Sequence, residues 1–289
     1  MASLRDLRRR IKSIEKTKQV TKAMKAVSAA KMRRAQEDVL AARPFARRVR
    51  DVLGRVGSAS VGMQHPLLTV REPKKVAYVV VTADRGLCGG FNTNIIRKAA
   101  EDMKRHQDVE LICLGRKSLN YFKRREYNIA REYIGVGENA DLSLARELAT
   151  YVSEKYVAED YDEVYLVYSE FVNVLVQKPI VQKLLPVEPP EGKGGEEAEA
   201  KGGKVEYIFE PDVESMLAQL IPMYVENSVF QCLLELKAGE HSARMTAMDS
   251  ATSNANDMIE NLTLSLNRAR QAAITKEISE IVGGSAALE

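Results

Sequence analysis

Proline is missing from residues 223–282 of this 289-residue chain, histidine and cysteine occur three times each, and the longest apolar run is six residues. Each scarcity excludes something. With one internal glycine, Gly239, and no proline, the 223–282 stretch holds almost nothing that ends a helix. His65, His106 and His241 have no metal-type spacing, and neither HExxH nor GxSxG occurs, so zinc-hydrolase and nucleophile-elbow signatures are absent. Spacing alone leaves a dispersed Ser-His-Asp triad open, although nothing points to one. Cys88, Cys113 and Cys232 form no CxxC and are odd in number, which reads as buried thiols in a reducing compartment rather than disulfides or a zinc site. The six-residue run, Val76 to Val81, falls far short of the roughly 20 residues that a membrane span needs.

What is present is a soluble globular composition, 45% hydrophobic and 29% charged, enough for one sizeable domain or two modest ones. Charge is unevenly placed. Residues 1–55 hold 17 Lys/Arg against five Asp/Glu, a net +12, which leaves −9 on the rest of a chain whose total is +3. An arginine-rich start can mimic a transit peptide, but Asp6 and Glu15 interrupt the pattern and helical periodicity continues past it.

Positions 4, 7, 11, 14, 18, 21, 25, 28, 32, 35 and 39 keep three-four spacing, with Leu4, Leu7, Ile11 and Ile14 ahead of a polar middle at Lys18, Thr21, Lys25 and Ser28. Ser3 is the expected N-cap, Pro44 is expected to kink or break the helix, and Gly54 and Gly57 to stop it. The same spacing returns at 245, 248, 252, 255, 259, 262, 266, 269 and 273, with small residues at Thr252, Ala255, Ala269 and Ala273. Two seams, one at each end, predict that the terminal helices pair antiparallel. A continuous helix over 223–282 would measure about 90 Å, against about 50 Å for a compact chain of this length, so it would project from the body. A break near Gly239, Glu240 and His241, folding the segment into two core helices, is the competing expectation.

Between the arms the pattern predicts strands at 75–82, 109–115, 128–134 and 163–168, alternating with helices at 92–106, 116–125 and 142–157. Residues 171–186 read as a further strand or hairpin arm, and 205–209 as a last strand. The fold class is therefore α/β: a long antiparallel coiled coil of the N- and C-terminal helices plus a Rossmann-like, mostly parallel α/β domain. Residues 1–70 form the N-terminal coiled-coil helix and connection, 71–210 the α/β globular domain, and 211–289 the C-terminal coiled-coil helix. Residues 188–204 contain five Glu, three Lys and five Gly, which predicts a flexible loop.

One stretch resembles a ligand-binding turn. Residues 79–92, VVVTADRGLCGGFN, are a strand entering a glycine-rich turn ahead of a helix, where free backbone N–H groups can cradle phosphate. The pattern is neither GxGxxG nor GxxxxGK[ST], and the next strand ends Leu114, Gly115, Arg116 with no acid to grip a ribose. A structural turn locked by Asp84, Arg85 and Gly86 is the favoured reading, with Arg116 leaving an opening for a phosphorylated ligand. The basic arm has a single aromatic, Phe45, and no base-reading module, so an acidic protein partner or plain solvation is expected there and no nucleic acid.

Ile274, Thr275, Lys276 and Glu277, followed by Glu280 and Gly284, resemble the carboxy-terminal signature of the gamma subunit of F-type ATP synthases. The likeness extends to residues 268–273 and 240–248, to Ile11 and 17–31, and to the turn at 82–90. Ser285 stands where the signature usually has alanine, and 188–204 has no cysteine pair like that of chloroplast members. The resemblance implies a non-catalytic rotor with no cofactor or metal. Its paired helices would enter a hexamer of three alpha and three beta subunits, and its α/β domain would stand on the membrane-embedded c-ring beside an epsilon subunit. It implies a peripheral location at the cytoplasmic face of a bacterial membrane. It further implies that Met24 and Lys25 lie near an acidic lever of the beta subunit, and that Arg270, Gln271 and Thr275, with Glu277 as a fourth, contact a beta-subunit loop.

Overall fold

A computed structural model describes residues 4–59, 65–136, 140–188 and 212–286. The Ser3 cap, most of the expected flexible loop and the strand expected at 205–209 lie outside the described residues. The chain divides into two compact units, Met1–Ser28 with Arg244–Glu289, and Ala29–Ala243.

The second unit is built on a five-stranded sheet: β1 (Lys75–Val81), β2 (Asp108–Leu114), β3 (Ile129–Tyr133), β4 (Glu163–Phe171) and β5 (Gln177–Leu185), in the spatial order β3-β2-β1-β4-β5. The first four are mutually parallel and β5 returns antiparallel to β4. The sequence of β1 explains its central place. Val76 to Val81 are all buried, the continuous apolar pattern of a parallel strand covered on both faces, and Val79 is level with Ile112 on one side and Leu166 on the other. The expected hairpin arm resolves as β5, joined to β4 by a turn in which Asn173 Oδ1 accepts from the N–H groups of Leu175 and Val176.

Three helices cross between the strands: α2 (Phe91–Asp102), α3 (Arg116–Lys123) and α4 (Leu142–Val157). Asp141 caps α4 by accepting from Ser143 N at 2.9 Å, and the helix buries Ala145, Leu148, Val152 and Tyr156 on one face. All three thiols are buried and no disulfide links them. Burial pushes Cys113 up to about 12 and Cys232 well above the usual thiol value, so both stay neutral.

Two long helices complete the chain, α1 (Leu4–Ala59) and α5 (Val213–Ala286). They correct the expectations that Pro44 breaks α1 and that Gly54 and Gly57 stop it, and they favour the continuous C-terminal helix over the break near Gly239. Helix α1 passes through Pro44 and Gly54, and α5 runs unbroken through Pro222 and Gly239. A proline inside a helix costs about 3 kcal/mol, whereas burial contributes about 1.5–3 kcal/mol per large apolar side chain. Val49 and Leu53 follow Pro44 into the core, and Leu217, Ile221, Val225 and Val229 bracket Pro222. Packing on both sides of each proline outweighs the lost hydrogen bond.

On α5, Glu235 is only 2% exposed. Its Oε1 accepts from Gln231 Nε2 at 3.1 Å, while Oε2 has no hydrogen-bond partner. Burial pushes its pKa up and the nearby Glu170 carboxylate adds to the shift, against the opposing Gln231 bond.

Two outcomes follow. Gly115 sits at φ +88°, and a Cβ there would lie 2.0 Å from Thr82 O, so Gly115→Ala is expected to cost about 4 kcal/mol or more in a urea titration. For Glu235 the folded pKa is raised, so stability is whole below the ordinary value of 4.5 and falls as pH rises through that value towards the folded one. Glu235→Gln should therefore stabilise the chain at pH 7, with the gain fading below about pH 4.5.

Candidate functional site

The glycine-rich turn is closed by its own side chains. Asn92 Oδ1 accepts from Ala83 N at 2.9 Å, and Asn92 Nδ2 donates to Cys88 Sγ at 3.1 Å and to Arg85 O at 3.4 Å. Asp84 Oδ1 accepts from Arg116 N at 2.9 Å, so a carboxylate already occupies the amino end of α3. Lys117 N donates to Ala83 O, and Thr82 and Ser118 bond each other at 2.9 Å. The amides of Ala83 and Arg116 are thereby committed to side chains, and Phe91 N, at the start of α2, donates to Cys88 O. These bonds are those of a locked structural turn, with Asn92 and Asp84 supplying side-chain locks and Arg85 O accepting one of them.

The histidines stand apart in role. His65 Nδ1 accepts from Leu67 N at the start of a short 3-10 turn, and burial lowers its pKa. His106 lies beside the rings of Tyr78 and Tyr165, and His241 is packed inside α5. No group of His, Cys, Asp and Glu among the described residues is arranged to hold a metal, and no described helix is long and apolar enough to cross a membrane.

The first unit is where the chain offers something to a partner. Its residues of α1 and α5 form the two seams, with Leu7, Thr21, Ser28, Met248 and Ala255 buried. Thr21 Oγ1 lies 2.8 Å from Thr252 Oγ1, and Lys25 Nζ donates to Asp249 Oδ1 at 2.6 Å. These pairs fix an antiparallel register, and a polar pair inside an apolar seam is a known way to pin one. The register carries Leu4 to the level of Ala269. Seam positions 259, 262, 266 and 269 are half-buried, and beyond them every residue from 270 to 281 is exposed.

That bare run is chemically mixed. Ile274, Ile278 and Ile281 are 49%, 56% and 66% exposed. At helical spacing Arg270 and Glu277 share a face with Ile274 and Ile281, and Gln271 and Thr275 share one with Ile278. The run presents an apolar stripe flanked by a guanidinium, an amide, a hydroxyl and a carboxylate. Of the six residues singled out from the sequence, the structure brings Met24 and Lys25 together, both half-buried, at the level of Asp249 on α5. Arg270, Gln271, Thr275 and Glu277 form a second group, all exposed, about 30 Å further along α5 at 1.5 Å per residue. The two groups are separate patches on one helical pair. Asp249 was missed because a cross-helix partner has no signal within its own helix. The isoleucine stripe was readable from its spacing.

A helical pair with a bare, amphipathic continuation defines an assembly component. Comparison with known proteins agrees. A family model described as ATP synthase matches residues 3–288. The ATP synthase gamma chain of Pelotomaculum thermopropionicum is 66% identical over 290 residues, and that of Desulforamulus reducens 61% over 289, each covering all of both chains. A chain of the Tetrahymena thermophila mitochondrial ATP synthase, in a structure of its central stalk and c-ring, superposes with a TM-score of 0.61 at 26% identity over 80% of this chain and 99% of that one. A chain of the Euglena gracilis mitochondrial ATP synthase rotor shares the fold, with a TM-score of 0.67 at 22% identity over 94% and 98%. The chain belongs to the gamma-chain family of ATP synthases.

The Lys25–Asp249 pair is a modest contact, because both side chains are about half exposed, at 43% and 60%. A double-mutant cycle of Lys25→Ala and Asp249→Ala should give a coupling below about 1 kcal/mol that shrinks further in 1 M salt. A larger, salt-insensitive value would mean that Lys25 is held in place by this chain alone.

Proposed function

We propose that this chain is the central-stalk rotor of a bacterial F-type ATP synthase, coupling ion flow through a membrane-embedded c-ring to conformational change in a hexamer of alpha and beta subunits. What carries the proposal is the exposed run 270–281, in a chain of this family. Three isoleucines left in water on one helix call for a surface that surrounds them, and the inner wall of a hexamer supplies one on every side.

The rotor is a non-catalytic subunit. It shifts the nucleotide affinity of each beta subunit only as far as its contacts differ between that subunit's conformations, so asymmetry of the shaft is its working property. Met24 and Lys25 face an acidic lever of the beta subunit, with the net charge of +12 on residues 1–55 providing complementarity. Arg270, Gln271, Thr275 and Glu277 meet a beta-subunit loop through hydrogen bonds and ion pairs at the bare end of α5. Residues 1–70 and 211–289 serve as shaft, and 71–210 as the head that stands on the c-ring beside epsilon, at the cytoplasmic face of the membrane. No nucleotide, metal or nucleic acid is required by the chain itself.

In a complex assembled from this chain with alpha and beta subunits, Lys25→Glu combined with Arg270→Ala and Gln271→Ala should lower ATPase turnover about tenfold, the loss of a few exposed charge-assisted contacts. The chain's own unfolding midpoint should barely move. Unchanged turnover and assembly would refute the contact assignment. Titration calorimetry of the isolated chain with ATP, ADP and NAD should give no binding tighter than about 1 mM, the range of nonspecific association.

A further inference from the structure

From residue 232 to residue 242, eleven consecutive residues of α5 are buried, so the helix is covered on every side at that level. Among them are Glu235, Lys237, Glu240 and His241. A helix lying on one face of a sheet would turn such residues to water. Here they meet cover from several directions. Lys237 Nζ donates to Val136 O, past the end of β3, at 2.9 Å, and Ser242 Oγ donates to Val174 O in the β4–β5 turn at 2.5 Å. Leu234 and Ala238 pack with Ala35 and Val39 of α1 and with Phe171.

At Gly239 the helix meets an aromatic ring. A Cβ built on Gly239 would come 2.8 Å from Phe91 Cε2 and 3.3 Å from Cζ, with Gln177 Cγ at 3.7 Å. Phe91 is buried and is the first residue of α2, directly after the glycine-rich turn. The turn's bonds fix where that ring stands: Phe91 N donates to Cys88 O, and its neighbour Asn92 ties back to Ala83 and Cys88. Glycine is the poorest helix former after proline, so its place in the middle of α5 is explained by the ring and not by the helix.

We infer that the glycine-rich turn is a mount that keys α5 to the sheet, and that Phe91 set against Gly239 is a positioning contact that keeps α5 from turning or sliding in its bed under load. A smooth helix held only by apolar contacts can slip by a residue. A ring seated in a notch, with buried donors committed to Val136 O and Val174 O, gives one register and one rotation angle. This rests on the rotor reading and deepens it: the contact sets how much torque passes between α5 and the sheet.

The test uses the chain assembled with its alpha and beta subunits, fixed to a surface, with a bead linked through Lys178→Cys on the exposed side of β5. Torque is taken from rotation against viscous drag, and ATP hydrolysis is measured without the bead. Gly239→Ala should leave unloaded hydrolysis unchanged and lower torque on a large bead by about threefold or more, as an overpacked methyl displaces the ring. Adding Phe91→Ala to Gly239→Ala should return torque towards the original, and Phe91→Ala alone should lower it by loosening the notch. Wild-type torque in both single variants overturns the inference, as does a loss that the double variant does not relieve. Should Gly239→Ala fail to assemble, rescue of assembly by Phe91→Ala supports the contact and failure of rescue overturns it. If instead the unaltered chain neither assembles nor turns the bead, it is the rotor reading that fails.

Discussion

The structure depends on one helix being treated in two opposite ways. Between 232 and 242 every residue of α5 is buried, and between 270 and 281 every residue is exposed. Burial on all sides removes the helix's freedom to rotate or shift, because any displacement must move β-turn, strand end and neighbouring helix together in an interior packed as densely as a crystal. Exposure on all sides does the reverse and leaves a surface that only a second molecule can cover. Both conditions occur along one helix, Val213–Ala286.

The buried stretch is polar for a reason that apolar packing cannot supply. Leucines interdigitate almost equally well after a small slip, since the interaction has no direction. Hydrogen bonds from Lys237 and Ser242 to single carbonyl oxygens do not survive one. Burying such groups is unfavourable unless their bonds are made, so any misregistered arrangement carries an energetic penalty that the native one avoids. The Thr21–Thr252 and Lys25–Asp249 pairs act in the same sense in the seam of the first unit, where apolar residues alone would set the register loosely.

These facts also set what could be read in the sequence. The parallel sheet was legible because β1 is apolar from Val76 to Val81 and the helices between strands keep period 3.6 on one face. The seams were legible because one stripe is buried and the rest is not. Pro44 and Gly54 misled where local propensity was weighed without the packing of Val49 and Leu53. Gly239 was ambiguous because a helix break and a notch for a ring look identical in one dimension, and the ring belongs to Phe91 in a distant element. Buried Glu235, Lys237 and Glu240 were not readable at all, since periodicity assigns charged residues to water and only the bed around α5 reverses that. Of the candidate contacts, the six residues came from a family resemblance. The half-burial of Met24 and Lys25, and the register that leaves the other four bare, come from the fold.

A bare helical run still has to remain helical, and 270–281 has no tertiary packing to keep it so. Two features of its sequence supply the order instead. It contains Arg270, Gln271, Ala272, Ala273, Lys276 and Glu277, residues with high intrinsic helix propensity, and Lys276 pairs with Glu280 at 3.5 Å across one turn. It also has no nucleus to form, because it extends a helix already fixed by the seam, and propagation adds one hydrogen bond per residue without the entropic barrier of starting. The same twelve residues as a free peptide would be marginal, since isolated helices below about 12–15 residues barely hold in water. Intrinsic propensity thus does at this end of α5 what burial does at 232–242. The exposed residues of this run are presented on a surface that is ordered before any partner arrives, which spares the entropy of folding on binding.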